Sequence, residues 1–188
     1  MCVDTGGNDG HGCGQFNDDM IETTIRKGGP ADAAALFELF DEAISWLVAR
    51  GQLGQWGSDP MAQRPGLRHR VQAMAAGGGL RVAEHDGAVI GVLVVGTAPS
   101  YVPDVSVPEL YIELLLSSRR HAGQGIGAGL VRVAADVAAV RGARILRVDC
   151  WAGAPPLCRW YERQGFAASA TFDLDGWAGQ VLTMEVPP

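Results

Sequence analysis

"HAGQGIGAGL", residues 121–130, decides how the rest of the chain is read. Glycines at 123, 125, 127 and 129 alternate with other residues and then give way to an apolar run. Glycine at that density lets backbone approach a ligand closely, and free N–H groups leading into a helix N-terminus favour an anion, most often phosphate. Ile126, Leu130, Val133, Ala134 and Val137 recur at helical spacing, and Gly142 stops the pattern. The glycines therefore open a helix. Upstream, "ELYIELLLS" (109–117) reads as a strand, so strand, glycine loop and helix follow in succession, the first half of a parallel crossover.

Working outward, "IETTIRKG" (21–28) reads as a first strand. Gly29-Pro30 opens a helix with Leu36, Leu39, Phe40, Ala43, Trp46 and Leu47 at helical spacing, closed by Gly51. "GQLGQWGSDP" (51–60) is a loop, and a less regular helix over 62–76 ends at Gly77-Gly78-Gly79. "LRVAEHD" and "AVIGVLVVGTA" are strands joined by Asp86-Gly87, a strong hairpin signal. Beyond the glycine-led helix come the strand "RILRVDCW" (144–151) and a short helix in "APPLCRWYERQG" (154–165). Two closing strands, "FAASATFD" and "GQVLTMEV", complete the chain. The order β-α-α-β-β-β-α-β-α-β-β predicts an α/β fold, a mixed β-sheet flanked by helices, without repeats or an interdomain linker. Crossover helices after the fourth and fifth strands predict locally parallel pairing at both places.

The 188 residues suit one core, and no uninterrupted apolar run reaches the roughly 18 residues of a membrane span. A formal charge of −6 argues against a nucleic-acid partner and mildly favours a cationic or neutral small molecule. Cys2, Cys13, Cys150 and Cys158 lack metal-type spacing, so no metal is expected. The last two lie in apolar segments and read as small buried hydrophobes, consistent with a cytoplasmic protein with reduced thiols. Residues 1–19 are rich in Gly, Asp and Asn, lack the basic start and apolar core of a signal peptide, and read as a disordered leader to a domain over 20–188.

Two phosphate ligands compete for the glycines. "GQGIGA" satisfies the dinucleotide fingerprint, with Asp149 about 24 residues past Gly125 as the ribose-binding acid. That reading needs the first glycine directly after the strand, and "SSRRHA" intervenes. The alternative is a pyrophosphate on successive backbone N–H groups. Here "AGQGIGAGLV" resembles the acyl-CoA signature of the GCN5-related N-acetyltransferase (GNAT) superfamily, R/Q-x-x-G-x-G/A after a strand. "WYERQGF" resembles that family's Y-E-x-x-G-F near the C-terminus, and the element order agrees from about Ile21 to Val186. Two positions depart from the family: Ala122 stands at the usual Arg or Gln, and Ala154 at a frequent Asn.

The resemblance implies a centrally splayed sheet and acetyl-CoA as cosubstrate, with acetyl passing directly to a primary amine of a small-molecule acceptor in a ternary complex. It implies that pantetheine fits between the fourth and fifth strands, with Leu115, Leu116 and Ser117 along it and an amide near Leu115 facing the thioester oxygen. Ala122, Gly123, Gln124, Gly125, Ile126, Gly127 and Ala128 would form the pyrophosphate cradle, with Ala154 near the last helix. Arg119, Arg120 or His121 could add contacts there. Tyr161 matches the tyrosine that serves as general acid. Period-two alternation puts Glu109, Tyr111, Glu113 and Leu115 on one strand face, which makes Glu113, one step from Leu115, the first choice of base, acting through water. Glu109 and Tyr111 further back, with Trp56 in the Gly-rich loop, are expected to bind the acceptor; Trp46 and Tyr101 are further liners. A protein in place of a small-molecule acceptor, Glu109 or a water chain in place of Glu113 as base, a covalent route through Cys150 or Cys158, a CoA-binding protein without turnover, and a homodimer all stay open.

Overall fold

The computed structural model describes residues 21–187, so the leader expected at 1–19, with Cys2 and Cys13, lies outside the described residues. Seven strands form among them: β1 (Thr24–Lys27), β2 (Leu80–His85), β3 (Ala88–Gly96), β4 (Glu109–Ser117), β5 (Ile145–Trp151), β6 (Ala167–Leu174) and β7 (Trp177–Glu185). They make one sheet in the order β1-β2-β3-β4-β5-β7-β6. Neighbours are antiparallel except β4 and β5. Asp86-Gly87 turns β2 into β3 with φ of 49° and 75°, and Asp175-Gly176 turns β6 into β7 with φ of 53° and 85°. Two successive left-handed residues match the twist of a hairpin.

Helices α1 (Ala33–Val48), α2 (Pro65–Ala76), α3 (Ile126–Val140) and α4 (Pro155–Arg163) cover the sheet. On one face, Leu36, Leu39, Phe40, Val71 and Ala75 of α1 and α2 pack on Val82, Val92, Val94, Leu114 and Leu116. On the other, Ile126, Leu130, Ala134 and Tyr161 of α3 and α4 pack on Ala83, Leu93, Val95, Leu110, Ile112 and Leu146. Each fully buried aliphatic side chain contributes about 1.5–3 kcal/mol. Upstream of α1, the Asp32 carboxylate accepts the Gly29 N–H at 2.9 Å and pairs with Arg26 at 2.8 Å, tying the helix entry to β1.

Parallel pairing occurs at only one of the two expected places. β4 and β5 are parallel, but β6 lies at the sheet edge and β7 fills the place beside β5, antiparallel to it. The tight Asp175-Gly176 turn lays β7 against β6, and β7 then pairs with β5 from Ile145↔Glu185 to Trp151↔Gly179.

The single face expected for Glu109, Tyr111, Glu113 and Leu115 is also corrected. The β3–β4 register steps from Val94↔Leu114 to Val95↔Ile112, which leaves Glu113 as an extra residue. Such a bulge reverses the alternation beyond it. Leu110 and Ile112 pack in the α3-side cluster and Leu115 joins that same cluster, whereas Leu114 and Leu116 turn to α1 and α2. Tyr111 and Leu115 thus point to opposite faces.

Pairing between β4 and β5 ends at Ile112↔Val148, although β4 runs on to Ser117 and β5 to Trp151. The two central strands part there and leave a gap in the middle of the sheet.

Candidate active site

The gap opens into a cavity of about 890 Å³ lined from β4, β5 and all four helices. Its β4 wall carries free peptide groups. The Ser118 N–H donates to the Ile90 carbonyl at 2.8 Å, and alternate residues of an antiparallel ladder make such bonds. Leu116, paired with Val92, therefore turns its peptide groups to β3, while Leu115 and Ser117 turn theirs to the gap. The Ser117 carbonyl is already taken: the Arg119 guanidinium donates to it at 3.1 and 3.3 Å and to Ser117 Oγ at 3.0 Å. Among the described residues, Leu115 keeps both groups free and Ser117 keeps its N–H. On the β5 wall, the Trp151 N–H donates to the Gln55 side-chain carbonyl at 3.1 Å.

The glycine loop closes one end. Gly123 and Gly125 have φ of 83° and 75°, a backbone region that side chains with a Cβ rarely occupy. Gly125 is the N-cap of α3, and no side chain among the described residues caps the helix. The first bond of α3 is Gly129 N–H to Gly125 carbonyl at 2.9 Å, so the N–H groups of Ile126, Gly127 and Ala128 have no partner within the helix. At Gly127 a Cβ would meet the Trp160 ring at 3.1 Å. This end suits a phosphate-bearing ligand, as free N–H groups and the helix dipole both favour negative charge. Glu42 of α1 pins the loop that leads there: its carboxylate accepts from the Arg119 N–H at 2.6 Å, the Arg120 N–H at 3.1 Å and the Ser118 hydroxyl at 3.1 Å.

Tyr161 of α4 lines the cavity and is 5% exposed. Trp160 and Phe166 pack edge-on to its ring, with centroids at 4.9 and 5.6 Å. No protein group among the described residues hydrogen-bonds its hydroxyl. Burial, then the field of Cys150, Asp149 and Cys158, raises its pKa above that of an ordinary phenol, so the hydroxyl stays protonated. Cys150 Sγ lies 3.4 Å from Cys158 Sγ. Burial and that neighbour push the Cys150 thiol up.

Two carboxylates flank the point where the strands part. Glu113 is the first β4 residue past the last β4–β5 pair, and Asp149 the first on β5. Both line the cavity. Burial raises the Glu113 pKa against the opposing pull of Arg70 and the Thr97 N–H. Gly96 makes room for it, because a Cβ there would overlap the Glu113 carboxylate. Asp149 accepts the Tyr111 hydroxyl, and burial outweighs that bond and Arg70 in raising its pKa. Aromatic side chains close this end: Tyr101 packs on Phe172 at 5.1 Å and Phe172 on Trp177 at 5.7 Å, with Trp151 and Trp56 also lining the wall.

Of the residues expected at the site, Glu113, Leu115, Leu116, Ser117, Ala122, Gly123, Gly125, Ile126, Gly127, Ala128, Ala154, Tyr161 and Trp56 line this one cavity. Glu109, Tyr111 and Gln124 do not. Glu109 pairs at 2.9 Å with the buried Arg147, which also donates to the Pro103 carbonyl at 2.8 Å. Tyr111 is fully buried behind Asp149. Asp149 itself entered the sequence reading only as a ribose-binding acid; a carboxylate interrupting the apolar β5 run was the available signal. Glu42, Gln55, Arg70 and Trp177 join the site by tertiary contacts that no local pattern announces.

The model of the acetyltransferase (GNAT) family matches residues 37–166. Among solved structures, a GNAT-family acetyltransferase of Listeria monocytogenes is 21% identical, with a TM-score of 0.65 over 88% of this chain and 95% of that one. A Salmonella typhimurium protein solved with its cofactor acetyl-CoA is 20% identical, with a TM-score of 0.61 over 89% and 95%. A ribosomal-protein-alanine N-acetyltransferase of Brucella melitensis is 21% identical, with a TM-score of 0.61 over 86% and 99%. These likenesses are of fold. No curated protein matches the sequence.

Proposed function

The chain belongs to the acetyltransferase (GNAT) family and is an acyltransferase, and on that premise we propose that it moves an acetyl group from acetyl-CoA directly to a primary amine of a small molecule, with both substrates bound together. The carrying observation is the gap between β4 and β5, which joins the uncapped N-terminus of α3 to the unpartnered hydroxyl of Tyr161. Bound acetyl-CoA supplies an activated thioester and an anionic handle. The backbone of Gly123, Gly125, Ile126, Gly127 and Ala128 holds the handle, so the alanine at 122 costs only a side-chain contact. Leu115 and the Ser117 N–H offer edge groups to an extended, amide-bearing arm.

Tyr161 holds a proton at its hydroxyl and is the donor to the departing sulfur. Glu113, with its raised pKa, takes a proton from the acceptor ammonium and so frees the amine lone pair for attack on the carbonyl carbon. The C–N bond forms, the C–S bond breaks, the thiol leaves with the tyrosine's proton, and the nitrogen's second proton passes to the tyrosinate, so the net proton released is the one Glu113 took. A raised thiol pKa is the reverse of what a nucleophilic cysteine needs, which supports direct transfer over a route through Cys150.

Thermal unfolding with and without ligand tests the binding half, since a ligand of the native state alone raises Tm by linkage. CoA and acetyl-CoA are expected to raise Tm, and NAD is not. A shift with NAD and none with CoA overturns the proposal. Thiol release from acetyl-CoA with a panel of primary amines tests the chemistry. A CoA shift with no release from any amine leaves a binding protein without turnover.

A further inference from the structure

We propose that Asp149, held by the Tyr111 hydroxyl, anchors the acceptor's ammonium group, and that the acceptor is a small cationic amine with an aromatic or apolar body and no carboxylate. The inference rests on the acetyl-transfer reading and names the acceptor class for the same cavity.

Four observations meet at this end of the cavity. First, Asp149 and Glu113 stand on opposite lips of the parting strands, each the first residue past the Ile112↔Val148 pair. Second, Tyr111, fully buried, orients the Asp149 carboxylate through Oδ1, and no other side chain among the described residues is hydrogen-bonded to it. Arg70 bears on both carboxylates, and no salt bridge to either is formed among the described residues. Two desolvated acids therefore share one guanidinium, which also bears on the Tyr101 hydroxyl, and an ammonium between them relieves their burial. Two acids against one guanidinium leave a net negative charge here, which an acceptor carboxylate would add to. Third, Tyr101, Trp151 and Trp177 line the same end and offer ring faces to a cation or to an apolar body. Fourth, Tyr161 lines the same cavity, and no protein group among the described residues hydrogen-bonds its hydroxyl.

The loop between α1 and α2 limits the acceptor's size. It is bonded across this end to two strands: Trp177 Nε1 of β7 donates to the Gly54 carbonyl at 2.7 Å and Gln55 accepts the Trp151 N–H of β5 at 3.1 Å, while within the loop Arg64 donates to the Trp56 carbonyl. The Trp151 ring lies so close to Gly54 and Gly153 that a Cβ at either would overlap it. A roof pinned this way favours a compact molecule over an extended peptide.

The test is titration calorimetry on the full chain saturated with CoA, using phenethylamine and tyramine as probes. Phenylalanine and tyrosine are the carboxylated controls, and tyrosol the control without an amine. The amines are expected to bind at least about 10-fold more tightly than their controls. Asp149→Asn is expected to weaken amine binding about 10- to 100-fold, the scale of a lost charge-assisted hydrogen bond, with CoA affinity unchanged. In Tyr111→Phe, which keeps the ring, the amine KM is expected to rise several-fold while kcat stays within about two-fold. The proposal is overturned by unchanged amine affinity in Asp149→Asn, by amino acids binding as tightly as amines, or by no binding of either amine. Failure of the wild-type chain to bind CoA counts against the acetyl-transfer reading instead, and amine binding is then read on the free protein.

Discussion

At Tyr161, removal from water disfavours the phenolate, so the hydroxyl reaches neutral pH with its proton in place. At Glu113 the same penalty disfavours the carboxylate and brings its affinity for a proton closer to that of an amine. One effect thus equips an acid and a base. Tyr161→Phe keeps the ring packed between Trp160 and Phe166 but removes the donor. Its kcat is expected to fall about 10²–10⁴-fold with acetyl-CoA affinity nearly constant, checked by steady-state kinetics and CoA titration. Glu113 must be ionised to act, so activity falls as pH drops through its folded pKa. The acidic limb of kcat/KM is therefore expected above the ordinary carboxylate range, and Glu113→Gln is expected to remove it. A variant that keeps kcat and the limb, and raises only the acceptor KM, would show that Glu113 attracts the ammonium without taking its proton.

Among the elements, β4 carries most of the site, and its bulge is what aims Glu113. The residue without a β3 counterpart is the one whose carboxylate lies over Gly96, where the missing side chain on β3 leaves space. Gly96→Ala fills that space and meets the end of a flexible side chain, so the carboxylate moves while the strands stay paired. The expected result is a loss of kcat/KM close to that of Glu113→Gln with little change in Tm, measured by kinetics and thermal unfolding side by side. A fully active Gly96→Ala would show that Glu113 reaches its proton from more than one position. The loop after β4 has a support of a different kind. Glu42 reaches across from α1 to take three hydrogen bonds from residues 118–120, so a helix on the acceptor side of the sheet fixes the approach to the glycine cradle.

For the whole molecule, desolvated acids at the parting strands carry a stability cost that changes with pH. The Asp149 pKa is raised in the folded chain, so the native state holds its proton at pH values where the unfolded chain has released it. Stability therefore falls as pH rises from the unfolded value of 3.8 through the folded pKa, and the penalty is constant above that. Asp149→Asn is expected to melt higher than wild type at neutral pH, with the difference shrinking on acidification, as followed by thermal unfolding across a pH series. A stabilised variant with a weakened acceptor site is the trade-off expected where function holds a charge out of water. Sequence by itself determined the order of elements, the Asp86-Gly87 hairpin and the glycine-led helix, because periodicity, turn chemistry and backbone freedom act over a few residues. It also carried the family, through "AGQGIGAGLV" and "WYERQGF" read together. Tertiary structure alone decided that β7 fills the place beside β5, that the bulge turns Leu115 away from Tyr111's face, and that Glu109 serves Arg147 outside the cavity. It also brought Asp149, Arg70 and Gln55 to one cavity and Glu42 to the loop beside it. Strand pairing, register and the fields that buried charges exert on one another are set by residues far apart in the chain, and no local pattern encodes which of them will meet.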